Sequence, residues 1–308
     1  MNNAASGIAP VTKKKKSRNF FRQNLAGYAL CAPMILAILV FVLYPMIQVL
    51  IYSFQSTNGI SGTWRGVKNY AWVLKDGAFW NAAWNTLYMA VLAVIIDVIV
   101  CFIVASMINS VTSKAGKNIF KSLYFLPNVV SSVAVAMLFN FIFYPTENGI
   151  LNYFLGLFGI SPIGWLVDPK LARFSIVIMG LWRSVGYDTI LFLAGLQSIP
   201  GEIYEAASID GASGIQKWWY ITIPNMKPTF TFMIMMLTIS TLRRFDDVWM
   251  IGGTAGNPGG KLDTMVMYIY RSSWLSREVG IASAAAVVLF IITFALTMLN
   301  NYVFNRKD

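Results

Sequence analysis

Six long apolar stretches separated by short polar segments organise this chain, at about 25–52, 84–109, 120–144, 171–199, 229–250 and 281–304. Each reaches the roughly 20 apolar residues that a helix needs to cross about 30 Å of hydrocarbon. Proline, glycine or charge bounds each run, as at Tyr144-Pro145 and Ile199-Pro200. The first run is longer than the apolar core of a secretory leader and lacks a small-residue cleavage pattern after it, so it counts as a span. The expectation is an all-α membrane protein with six transmembrane helices. Composition agrees: 57% of the 308 residues are hydrophobic and 12% charged, against about 45–50% apolar and 25% charged in soluble domains. With a mean hydropathy of +0.60, much of the surface must face lipid.

The net charge of +11 changes the picture only through its distribution. Lys13 to Lys16, Arg18, Arg22, Lys114, Lys117, Lys121, Lys217, Lys227, Arg306 and Lys307 fall on the termini and the even-numbered loops. Arg65, Lys68, Lys75, Lys170, Arg173, Lys261, Arg271 and Arg277 fall on the longer odd-numbered loops. The richer side is the cytoplasmic one, which puts both termini inside. The Lys13–Lys16 run reads as a topology anchor and not as a nucleic-acid contact. Trp64, Trp72, Trp80 and Trp84 suit the outer interface, where an indole is half wet and half buried. The expected layout is a basic cytoplasmic tail over 1–24, a six-helix domain over 25–304 with a cytoplasmic loop at 200–227, and a cytoplasmic C-terminus at 305–308.

Residue types exclude several chemistries. The chain has no His, and its two Cys, Cys31 and Cys101, sit inside apolar runs. His-based catalysis, the usual zinc sites and a disulfide framework are therefore not expected. An intramembrane enzyme lacks a catalytic set, and a channel lacks any repeated pore loop. No connecting segment is long enough to fold as a nucleotide-binding domain, so if the protein uses energy, the motor is on another chain. The glycine-rich run Gly252 to Lys261 fails as a phosphate loop. Ala255 stands where the first glycine is needed, and Leu262 follows Lys261 where Ser or Thr would hold magnesium. It reads as a turn-rich external loop.

The loop between the fourth and fifth runs is richer than a connector needs to be. Pro200 opens, and Gly211 closes, a short helix from about Gly201 to Ile209. Ser213 and Gln216 have the spacing of a capping box for a second short helix. Ala206 and Ala207 beside Glu205 leave the first helix slim. So short a helix is unstable alone in water and needs a surface to dock on. The residues alone leave two surfaces open, another protein or the lipid interface favoured by Trp218, Trp219 and Tyr220.

Glu205-Ala206-Ala207, three residues, then Gly211, with Ile221-Thr222-Ile223-Pro224 behind, resembles the EAA signature of permease subunits of ATP-binding-cassette importers. The string from Leu196-Gln197-Ser198-Ile199-Pro200 to Asp210-Gly211-Ala212 is similar to the carbohydrate-uptake branch, related to the maltose and glycerol-3-phosphate permeases. Phe245-Asp246, Gly252-Gly253, Tyr268-Ile269-Tyr270-Arg271 and Gly280-Ile281-Ala282-Ser283-Ala284 continue the pattern, which covers the chain from about Tyr70 to its end. The resemblance implies a bacterial or archaeal cell-membrane protein of the type I importer permease fold. It implies one half of a sugar or oligosaccharide pathway, with no catalysis and no cofactor of its own. A second permease subunit, a dimer of ATPase subunits carrying ATP and magnesium, and an external sugar-binding protein would be its partners, with lipid around it. The loop would be the coupling helix, with Glu205, Ala206, Ala207, Asp210 and Gly211 contacting the ATPase.

Apart from Lys121 and Arg173 at the run ends, the charges inside the runs are Asp97, Arg183, Asp188, Arg243, Arg244, Asp246 and Asp247. Each costs roughly 2.5–3.5 kcal/mol on insertion scales, so each is expected to face a cavity or a partner. Asp97 is alone on its run and could pair with Arg183. Sugars need planar polar groups for their hydroxyls and aromatic faces for their rings. Trp182, Arg183, Tyr187, Arg243, Asp246, Asp247 and Trp249 supply that lining, with Asn140, Tyr144 and Gln197 as weaker candidates. The three arginines would suit a carboxylated or phosphorylated sugar. Asp188, Asp246 and Asp247 could instead neutralise them internally, which favours a neutral oligosaccharide.

Overall fold

The structure is a computed structural model that describes residues 20–111 and 113–305; the Lys13–Lys16 run, Arg306 and Lys307 lie outside them. The chain divides at Val49. Up to that point it is helical: α1 (Phe20–Ile38), a π-helical turn (Leu39–Leu43) and the start of α2 (Tyr44–Ser53). Residues 27–47 are all exposed.

From Leu50 onward, helices surround three apolar clusters. The order is β1 (Gln55–Thr57), β2 (Gly62–Trp64), α3 (Lys68–Lys75), α4 (Gly77–Ser110), α5 (Lys114–Val129), α6 (Ser132–Ile142), α7 (Ile150–Gly156) and α8 (Ala172–Gln197). Then come α9 (Gly201–Ile209), α10 (Gly214–Lys217), a π-helical turn (Trp218–Thr222), α11 (Ile223–Asn225), α12 (Lys227–Leu242), α13 (Asp246–Gly252) and α14 (Met265–Tyr270). A last π-helical turn (Arg271–Leu275) leads into α15 (Val279–Asn305). Strands β1 and β2 pair antiparallel, Gln55 opposite Trp64, and buried Asn69 fixes β1 by donating to the carbonyls of Ser53 and Gln55. Gly280 is required there, because a Cβ on it would collide with the Gln55 carbonyl.

Among the described residues four helices are long and apolar enough to cross a membrane singly: Gly27–Ser53, Gly77–Ser110, Ala172–Gln197 and Val279–Phe304. Two of the six expected runs are broken. The third bends by 98° between α5 and α6. Pro127 removes a donor near the end of α5, and Ser131 starts a new helix by capping the Ala134 N–H at 3.3 Å. The fifth stops after the 16 residues of α12, about 24 Å of rise. The N–H groups of Arg243 and Arg244 turn back to Ser240 and Thr241, Phe245 leaves the helical region, and α13 restarts with Asp246 and Asp247 in its first turn.

The helices approach closely where side chains are small. A Cβ on Gly186 of α8 would strike the Tyr124 carbonyl of α5, and one on Gly195 would strike Thr229 of α12. One cluster joins Met89, Phe139, Ile176 and Val248 across α4, α6, α8 and α13. A second joins Phe79, Met265, Tyr268 and Ala284 around α4, α14 and α15. The third joins Phe102, Phe192, Met226 and Met233 at the α9 end of α4, α8 and α12.

Candidate functional site

The two helix breaks open onto one cavity of about 370 Å³, within the range of small-molecule pockets. Asn128 and Ser132 line it from the α5–α6 break, Asp97 from α4, Arg183, Tyr187 and Asp188 from α8, and Arg243 to Asp247 from the α12–α13 break. Five of the seven residues expected along a pathway are thus gathered: Arg183, Tyr187, Arg243, Asp246 and Asp247. Trp182 and Trp249 are not in the lining. Trp182 packs edge-on against Phe139 at 5.5 Å, and Trp249 lies against Phe245 and Tyr270 at 5.4 and 4.8 Å. Of the weaker candidates, Asn140 bonds its own helix at Ala136, and neither Tyr144 nor Gln197 lines the cavity.

The expected pairing of Asp97 with Arg183 does not form. Arg183 donates to the Ser132 hydroxyl across the α5–α6 break, and Asp97 accepts from Ser184 at 3.1 Å. Arg244 is the cation that is neutralised in place. It pairs with Asp247 at 3.2 Å and donates to the Ile176 carbonyl at 3.1 Å. Gly180 makes room, because a Cβ there would lie 2.6 Å from the Arg244 guanidinium. The Arg244 carbonyl, freed by the break, accepts from Thr264 at 3.0 Å. Among the described residues neither Arg183 nor Arg243 has a carboxylate within ion-pair distance.

The glycine-rich segment closes the end of the bundle opposite α9, with positive φ at Gly253, Gly256, Gly259 and Gly260. Asn85 of α4 donates to the carbonyls of Gly260 and Asp263. Arg271 grips the Asp263 carboxylate at 2.8 and 2.6 Å. Burial raises the Asp263 pKa, and the Arg271 hydrogen bonds and charge oppose that rise.

At the other end, α9 forms over the residues read from the sequence. Pro200 precedes it, Gly211 follows at φ +76°, and the Ser213–Gln216 capping box is complete. Glu205, Ala206, Asp210 and Gly211 are exposed and Ala207 half-buried, while Ile209 and Ile215 are 87% and 74% exposed. The loop is tied to itself and to the helices behind it. Ser208 donates to the Tyr204 carbonyl at 2.7 Å, and Lys217 donates to the Ser208 hydroxyl at 2.6 Å. Trp218 stacks on Phe102 and donates to Ser106 of α4 at 3.2 Å. The loop is therefore fastened to the membrane helices and bare on its outer side.

Sequence reasoning did not single out Asn128, Ser132, Gly180, Ser184 or Gly186. The one signal for the first two was Pro127, one residue before Asn128. The glycines lay among many, with nothing in the sequence to say which would meet a backbone.

Residues 101–308 match the family described as binding-protein-dependent transport system inner membrane component. The chain is 34% identical to the arabinooligosaccharides transport system permease protein AraP of Bacillus subtilis, over 91% of this chain and 89% of that protein. It is 34% identical to the lactose transport system permease protein LacF of Rhizobium radiobacter, over 94% and 96%. Among solved structures it superposes with a TM-score of 0.83 on a chain of a bacterial alginate transporter in complex with its alginate pentasaccharide-bound periplasmic protein. That match covers 95% of this chain and 98% of the other at 24% identity, which shows the fold.

Proposed function

The chain belongs to the binding-protein-dependent transport system inner membrane components, and from this premise we propose how it works. It is a multi-pass permease subunit of an ATP-binding-cassette importer, not an enzyme, and ATP hydrolysis belongs to a separate subunit. Its cargo is a sugar or oligosaccharide, as the names of its relatives support. In our reading the bent α5–α6 pair and the α12–α13 pair complete six crossings, with both termini and α9 on the cytoplasmic face.

The observation that carries the reading is the helix α9, exposed outside and fastened inside. In this reading its outer face, with Glu205, Ala206, Ala207, Asp210 and Gly211, docks into an ATPase subunit. Closure of the ATPase dimer on ATP pulls the helix, and the ties through Lys217, Trp218 and Thr222 pass that pull to α4 and α12. ATP can shift the pathway only by binding one conformation better than the other, and α9 is the contact that carries the difference.

The cavity serves as the substrate pathway, shared with a second permease chain and supplied by an external binding protein. Its lining offers donors from Arg183, Arg243 and Asn128, and acceptors from Asp246 and Asp247. The four carboxylates of the lining, Asp97, Asp188, Asp246 and Asp247, outnumber its three guanidiniums, so a neutral oligosaccharide with many hydroxyls fits better than a polyanion. Affinity purification in mild detergent tests the assembly. An ATPase subunit and a second permease should co-purify, and a chain that runs alone in every mild detergent would contradict it.

A further inference from the structure

Asp97 and Cys101 stand four residues apart on one face of α4, and Asp188 meets them from α8. A carboxylate oxygen of each Asp and the Cys101 sulfur all lie within 4.8 Å of one another. All three side chains are buried, with 4%, 0% and 5% of their surface exposed. Their oxygens are under-satisfied. Asp97 accepts from Ser184, whereas Asp188 Oδ2 has no hydrogen-bond partner among the described residues. No hydrogen bond from Arg244 reaches them: its guanidinium is bound to Asp247 and the Ile176 carbonyl and attracts Asp97 only through its field.

Two carboxylates beside each other in a membrane interior call for compensating positive charge. We propose that Asp97, Cys101 and Asp188 hold one divalent metal ion of zinc type, which ties α4 to α8 at the wall of the cavity. Cys101 binds as its thiolate and gives its proton to water, so the ion's two charges offset two of the three negative ligands. The donor set argues for its type: zinc accepts oxygen at about 2.0–2.2 Å and sulfur at about 2.3 Å, whereas magnesium and calcium select oxygen alone. A tetrahedral site holds its donors about 3.5 Å apart, so side-chain rotations suffice to draw these three around an ion. Asp97 and Asp188 both line the cavity, which gives the ion a route from water. The Ser184 hydroxyl orients the Asp97 carboxylate from behind, as the outer partners of metal ligands do. Because α4 and α8 both flank the cavity, occupancy fixes its wall whatever sugar passes.

The test is independent of cargo. The chain is purified with its co-purifying subunits, without nucleotide, and zinc and manganese are counted by mass spectrometry before and after chelation. Thermal unfolding is followed with zinc, manganese, magnesium or calcium added. The expected result is about one tightly held zinc ion per chain, and a melting temperature that falls by about 5 °C on chelation and returns with zinc. Cys101→Ala and Asp188→Asn should each abolish both effects; Cys101→Ala, the milder change, guards against misfolding of the other. Wild-type protein with no stoichiometric metal and a melting temperature indifferent to every cation would overturn the proposal and leave a pair that shares only a proton. Equal metal content in wild type and both variants would overturn it as well.

Discussion

The Tyr204 hydroxyl meets the Thr222 hydroxyl at 2.9 Å, and Thr222 donates onward to the Lys217 carbonyl at 3.3 Å. Tyr204 is therefore the donor of the first bond, and α9 is linked through it to the π-helical turn that leads into α12. Tyr204→Phe should cut ATP-driven uptake several-fold while leaving membrane insertion unchanged. The lost bond costs about 1 kcal/mol, because Thr222 keeps its bond to Lys217. Uptake assays normalised to permease in the membrane check this, and unchanged uptake would show that the link transmits nothing.

Gly211 offers a second test of the same helix. Open space surrounds its Cα, so a side chain there meets no clash. Its φ of +76° nevertheless costs a non-glycine residue roughly 1–2 kcal/mol. Gly211→Ala should lower uptake partially, and Gly211→Asp, which adds charge to the docking face, should abolish it. Immunodetection should find both variants in the membrane at normal levels.

Gly186 tests packing. Any Cβ there drives into the Tyr124 backbone, which cannot rotate away as a side chain can. Gly186→Ala should destabilise the chain by about 1–3 kcal/mol, read as a lower melting temperature and less protein in the membrane. Gly201→Ala, with no heavy atom within 4 Å of its Cβ, is the control that should change neither.

How far the sequence reaches can be judged from these residues. Pro200, Gly211 and the Ser213–Gln216 pair delimit short helices by local rules, and the structure has those helices at those residues. The turn chemistry of the glycine-rich loop was legible for the same reason. The breaks in the third and fifth runs were not. Apolar content says only that a segment favours lipid. Ser131 breaks its helix within a run that stays apolar on both sides, and Phe245 breaks its own between Arg243-Arg244 and Asp246-Asp247, charges that the hydropathy pattern carries inside one continuous run. The Asp97–Arg183 pairing failed for a related reason. Pairing depends on the rotation of α4 against α8, and the closely packed Gly180 and Gly186 on α8 bring Arg244 and α5 against that helix.

The cavity makes a prediction about cargo charge. Arg183 and Arg243 lack carboxylate partners among the described residues, whereas Arg244 has one in Asp247. Arg183→Gln and Arg243→Gln should therefore each reduce uptake of neutral oligosaccharides at least tenfold, which is about 1.4 kcal/mol of lost contact. Transport assays comparing neutral and acidic oligosaccharides check it. Loss confined to the acidic class would reverse the reading of the cargo as neutral.

The role of α9 as the contact with the ATPase is tested most directly by Glu205→Lys in a transporter reconstituted with its ATPase and binding protein. Glu205 is exposed on the outer side of α9 and carries no hydrogen bond or ion pair among the described residues, so the change leaves the fold intact. The expected result is loss of both sugar uptake and binding-protein-stimulated ATP hydrolysis, with the permease still inserted and folded. Wild-type rates of uptake and stimulated hydrolysis in that variant would contradict it.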